Sequence, residues 1–156
     1  MMKLKAALVL TLSLGAQSAL AYVNCAGETF SGKIVEVSIN TVGSMAFPKS
    51  GAVRFTDIST GEKQAFALKQ NEIVQFFENA DPNNAMVGLA AYSELNNPIW
   101  IKYVGKNYDG DLLEILRDPN RVKQQGNEMR VWKGPGYGPN EQYQFMDVVC
   151  SVVIDV

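Results

Sequence analysis

The chain contains no histidine. That removes Ser-His-Asp and Cys-His nucleophilic catalysis and every histidine-based metal site. No G-x-S-x-G elbow, Walker loop or G-x-G-x-x-G turn occurs either. The chemistry left belongs to carboxylates, tyrosines, lysines and amides. Carboxylates gather at Asp109, Asp111 and Glu114, and again at Asp57 and Glu62. A pair at the right separation would serve glycoside hydrolysis, but charges in turn-forming stretches are most often solvated, and the chain is read as non-enzymatic and without a cofactor. Asn107, Asp109, Asp111 and Glu114 around Gly110 resemble half a calcium loop, because a hard cation needs alternating oxygen ligands about a tight turn. The twelve-residue pattern fails, since the bidentate Glu is misplaced. A turn followed by an Asp111 helix cap explains the same residues, and no metal site is expected.

The aromatic residues give the best candidate site. Trp132, Tyr137 and Tyr143 surround the run Gly134 to Asn140, which holds three Gly and two Pro and must be a loop. Asn140, Glu141 and Gln142 lie beside them. Flat apolar rings meet the C–H faces of a sugar, while amides and carboxylates meet its hydroxyls; exposed aromatics on a loop equally suit a protein contact. Trp132, Tyr137, Asn140 and Tyr143 are therefore the candidate ligand-binding residues, for a glycan or a protein. Trp132 and Tyr143 also admit a plainer role as core or cover residues at strand positions. The alternative function is a periplasmic structural or inhibitory protein acting through a protein interface on a sheet edge.

Two cysteines, Cys25 and Cys150, stand near the ends of the chain that follows the leader. In an exported protein a lone pair is most simply one disulfide, here joining the first strand to the last. A metal or redox site would compete, but there is no C-x-x-C. Export is read from the first residues. Lys3 and Lys5 precede an apolar run from Ala6 to Gly15 that is too short to span a bilayer, and Ala19-Leu20-Ala21 is an A-x-A cleavage site. Residues 1–21 are thus expected to be a signal peptide and 22–156 one exported domain, periplasmic or secreted. Removing Lys3 and Lys5 from 14 basic residues leaves 12 against 16 acids, a net charge of −4. No basic cluster survives, so nucleic acid is not an expected partner. No second long apolar run follows, so no membrane span is expected.

The elements that must position these residues come from periodicity. Val35, Val37 and Ile39 alternate with Glu36, Ser38 and Asn40, which predicts a half-buried strand. Residues 42–50 read as a loop. Ala52 to Ile58 and Gln64 to Leu68 read as two further strands joined by a turn at Ser59-Thr60-Gly61-Glu62. Glu72 to Glu78 leans towards a short helix. Asp81-Pro82 opens, and Asn96-Asn97-Pro98 closes, a segment apolar on nearly every side, which predicts a buried helix over about 81–96. Ile99, Ile101 and Tyr103 then share one face of a strand, with Trp100 packed against the helix. Leu112 to Arg117 reads as a short helix capped by Asp111 and stopped at Asp118-Pro119. Val122 to Asn127 reads as exposed and Met129 to Lys133 as a strand. Met146, Val148, Cys150, Val152 and Ile154 share one face of the last strand.

A Cys near the mature start, the S-G-K-I-V-E-V strand (Ser31 to Val37), the meander, and an Ala-rich segment running into N-P-I-W-I-K-Y (Asn97 to Tyr103) resemble small exported bacterial OB-fold proteins. The layout is similar to the B subunits of AB-type toxins, over Cys25 to Leu68 and Asp81 to Val104. Those are five-stranded barrels with a helix between the third and fourth strands, and they form glycan-binding rings. The resemblance implies a β-rich α+β fold: a small OB-fold-like antiparallel barrel with one central helix at about 81–96. It also implies a homo-oligomer.

Overall fold

A computed structural model describes residues 20–29, 32–42, 47–77, 83–92, 98–132, 142–145 and 147–154. Most of the expected leader and the 133–141 loop lie outside this set. The described residues are strand-rich. Four strands come first: β1 (Leu20–Glu28), β2 (Lys33–Val42), β3 (Phe47–Asp57) and β4 (Lys63–Lys69). A 3-10 turn (Gln70–Glu72) leads into β5 (Ile73–Phe77), β6 (Ala85–Tyr92) and β7 (Pro98–Gly105). The helix α1 (Leu112–Arg117) precedes β8 (Glu128–Trp132), β9 (Gln142–Phe145) and β10 (Val148–Ile154). They form two five-stranded antiparallel sheets, in the order β10-β1-β2-β3-β4 and β5-β6-β7-β8-β9. Within each sheet the paired strands follow one another in the chain, except where β10 returns to β1.

The core lies between the sheets and follows from alternation. Val35, Val37 and Ile39 of β2 are buried together with Val23 and Cys25 of β1 and Val148, Cys150 and Val152 of β10. From the second sheet, Val87, Leu89, Ile99, Ile101, Tyr103 and Met129 join the same cluster. Each such side chain withdrawn from water contributes about 1.5–3 kcal/mol. The Cys25–Cys150 disulfide is formed, and its two residues are direct cross-strand partners in the β1–β10 ladder. The expected meander β2-β3-β4 is present, and its second turn is built at Asp57–Glu62. There Asp57 N donates to Glu62 O and Gly61 N to Asp57 O, with Gly61 at φ +72. A left-handed residue at that point suits glycine because it has no Cβ to clash.

Several expectations are corrected. The segment expected as a central helix over about 81–96 holds a strand, β6, and the layout is two sheets where a five-stranded barrel about one helix was anticipated. Ala85, Val87, Leu89 and Ala91 are buried while Met86 is half exposed. The period is therefore two, hidden because the outward set (Met86, Gly88, Ala90) is itself apolar or small. The full ladder from Ala85↔Gly105 to Tyr92↔Pro98 outweighs the local helix signals. Glu72 to Glu78, which leaned helical, contributes β5, whose residues pair with β6. The 42–50 segment, read as a loop, contains the start of β3 at Phe47. Trp100 has no helix to meet; it is half-buried on the outer face of its sheet with the Arg130 guanidinium 5.4 Å from its ring centroid. Within the stretch expected to be exposed, Asn127 is buried, and its Oδ1 accepts from Val104 N at 2.9 Å. Among the described residues no helix is long and apolar enough to cross a membrane.

Candidate functional site

The second sheet sends one excursion across to the first. After β7 the chain runs through 106–111 as a strap along the outer edge of β10. The side-chain amide of Asn107 imitates a strand residue there: its Nδ2 donates to Val152 O (3.1 Å) and its Oδ1 accepts from Val152 N (2.8 Å). Tyr108 N donates to Cys150 O at 3.1 Å, and Tyr103 Oη donates to Lys106 O at 2.6 Å. These bonds satisfy an edge that would otherwise carry free backbone groups. Burial pushes the Tyr103 phenol up to about 12, with Tyr108 nearby adding to the rise.

The strap delivers α1 onto the outer face of the first sheet. Asp111 caps it as the sequence indicates, accepting from Leu113 N at 2.8 Å and Glu114 N at 3.4 Å. Leu116 is buried against Ala26 and Val149, which are cross-strand partners. One step along the same face, the rung Ser151–Asn24–Ser38 carries no apolar side chain. It forms the floor of a groove of about 560 Å³. Tyr22 and Val153 border the groove on one side and the partners Glu36 and Arg54 on the other, while Asp109, Gly110, Asp111 and Leu112 form a wall. Tyr22 is 37% exposed. Glu36 and Arg54 face each other across β2 and β3, yet neither belongs to an ion pair among the described residues. The groove thus offers an amide, two hydroxyls, a phenol ring, a guanidinium and carboxylates, all able to form hydrogen bonds to a polar ligand.

The residues singled out from sequence are scattered relative to this groove. Trp132 ends β8 and Tyr143 lies in β9, on neighbouring rungs of one ladder: Val131 pairs with Tyr143 and Trp132 with Gln142. Tyr137 and Asn140 lie outside the described residues. Of the carboxylates, Asp109 and Asp111 are in the groove wall, and Asp111 is committed to the cap. Asp57 is committed to its own turn, where the Ser59 hydroxyl and amide hold its carboxyl below the usual range. Among the described residues no group of three or more Cys, Asp or Glu is placed to hold a metal ion.

Asn24, Ser38, Arg54 and Ser151 were not found by sequence reasoning. They come from four strands that are distant in the chain, and each sits at an ordinary outward position. The available signal was a run of short polar residues on the solvent side of strands otherwise read only for their apolar side. No family model, curated protein or solved structure matches the chain.

Proposed function

We propose that this is an exported, non-enzymatic binding module that holds a glycan in the groove beside the 109–112 wall. The observation that carries the reading is the open polar floor Ser151–Asn24–Ser38, set between a tyrosine ring and an unengaged Glu36–Arg54 pair. Sugar hydroxyls need neutral amides and hydroxyls together with charge-assisted partners, and a sugar's C–H face needs a ring. The Cys25–Cys150 disulfide, between adjacent strands of the first sheet, fits an oxidising compartment, periplasmic or extracellular. Trp132, Tyr137, Asn140 and Tyr143 are retained as a separate candidate contact, for a glycan or a protein.

The test is titration of the oxidised protein against a panel of neutral, acidic and amino oligosaccharides, repeated with Arg54→Ala and Tyr22→Ala. Each substitution is expected to weaken binding about tenfold, or about 1.4 kcal/mol. A panel with no binder overturns the glycan reading. Binding that survives both substitutions but falls in Trp132→Ala and Tyr137→Ala moves the site to the 133–141 loop.

A further inference from the structure

The chain itself leaves the polar side chains of the groove unused. Ser151 is 9% exposed, and its hydroxyl makes no hydrogen bond among the described residues. A group so buried is ordinarily paired; this one lines the groove. The side chains of Asn24, Ser38 and Asp109 also make no hydrogen bond or ion pair among the described residues. Charge is divided between the two ends. The strap brings Asp109 to the Ser151 end of the floor, since Tyr108 N is bonded to Cys150 O and the Asn107 amide to Val152. Asp111 stands in the same wall; its Oδ1 serves the helix cap, and its other oxygen makes no hydrogen bond among the described residues. Lys106, the cation of the strap, lies over the Tyr108 ring and is not part of the lining. The one guanidinium of the lining, Arg54, is on β3, three strand spacings from β10, or about 14 Å across the sheet. That exceeds the screening length of about 8 Å at physiological salt. The negative charge of the wall end is therefore uncompensated.

On the glycan reading of this groove, on which the assignment rests, we infer that its wall end takes a primary ammonium group: the sugar held there is an amino sugar with a free amine. An ammonium group carries three donors and no acceptor. The wall end supplies acceptors to match, in the Asp109 carboxylate, the second oxygen of Asp111 and the Ser151 hydroxyl. Bonds to the two carboxylates are charge-assisted, and each is roughly twice as strong as a neutral one. A sugar hydroxyl or an acetamide at the same place donates once and brings no counter-charge. A metal ion is a poorer occupant, because among the described residues no group of three or more Cys, Asp or Glu is placed to hold one. At the other end Arg54 donates to ring hydroxyls, and the Tyr22 ring meets a C–H face. The floor from β10 to β2 is two strand spacings, or about 10 Å, so the ammonium group and the Arg54 contacts belong to opposite ends of one ligand.

The probes are β-1,4-linked tetramers of glucosamine, glucose and N-acetylglucosamine, which differ only in the group on C2. Each is titrated into the full oxidised chain. The amino tetramer is expected to bind about tenfold more tightly than the other two. Asp109→Ala should cut that preference to about threefold or less, with Asp111 supplying the remainder. Asp109 is exposed and unpaired, so this substitution leaves the fold intact, which an unchanged circular dichroism spectrum checks. Ser151→Ala should weaken the amino tetramer about threefold. Arg54→Ala should weaken all three tetramers alike and keep the preference. Equal affinity for the three tetramers overturns the amino-sugar assignment and leaves the glycan reading standing. A preference unchanged in Asp109→Ala overturns the ammonium site. Failure of the amino tetramer to saturate at millimolar concentration also overturns the assignment; the glycan reading falls with it only if no other oligosaccharide of the panel binds.

Discussion

Two rungs of the first sheet's outer face, two residues apart on the same strands, have opposite fates. At Ala26–Val149 the face is apolar, and α1 lays Leu116 over it. At Asn24–Ser151 it is polar and remains an open groove floor. The backbone is the same at both rungs, and they are separated by about 7 Å of strand. What differs is whether water or a leucine is the better neighbour. A six-residue helix can cover one rung, and the apolar rung is the one that gains from cover. The groove is what remains of the face beyond the reach of that short helix.

The comparison is broken most severely by removing what both rungs share. Cys25 and Cys150 pair between them on the opposite, buried face. Closing a loop with a sequence separation of 125 residues constrains the unfolded chain by about 5 kcal/mol in the chain-entropy treatment. The double substitution of Cys25 and Cys150 to serine should lower the unfolding free energy measured in urea by nearly that amount. A loss under about 1 kcal/mol would mean that the ladder alone holds both rungs.

Leu116→Ala attacks only the covered rung. It should cost about 2–4 kcal/mol, in the range for buried leucines, and should leave groove binding intact. Loss of binding with unchanged stability would show that α1 serves the groove wall and has little part in holding the sheet.

The smallest effect is a pH dependence where Tyr103 of β7 holds the strap through Lys106 O. Tyr103 titrates near 12 in the folded chain against 10.0 as its ordinary value, because burial disfavours its phenolate. Its contribution to stability is complete below pH 10 and is lost as the pH rises towards 12, where the unfolded chain has released a proton that the folded chain still holds. The urea midpoint should fall across that window, and Tyr103→Phe should flatten the fall. An equal slope in the variant would assign the alkaline loss to other groups.

The parts of the molecule legible in the sequence are those in which one residue type admits one role. Two cysteines in a chain read as exported pointed to one bond, and that bond is present. Asp111 followed by Leu112 to Arg117 and then Asp118-Pro119 marked a helix at both ends, and α1 occupies that span. Strand β2 was legible because Glu36, Ser38 and Asn40 contrast sharply with Val35, Val37 and Ile39, with which they alternate. Strand β6 was not, because Met86, Gly88 and Ala90 give no polar contrast, and the flanking Asp-Pro and Asn-Pro imitate helix boundaries. What fixes β6 is its partner β7, a contact that no local window contains. The groove was hidden for a related reason. Its floor takes one residue from each of three strands, and Asn24 and Ser151 are brought together only by the pairing of the two ends of the chain.

That pairing also sets a timetable. Every other ladder joins strands that are neighbours in the chain, so each can form soon after its second strand exists. Strand β1 must wait for β10, and until then one of its edges has no partner while the rest of the first sheet is complete. Non-local closure is the slow event in such topologies, and an unfinished edge is where intermediates associate wrongly. Refolding of the oxidised chain, in which Cys25 already holds Cys150, should therefore be faster than refolding of the reduced chain, with less aggregate formed along the way.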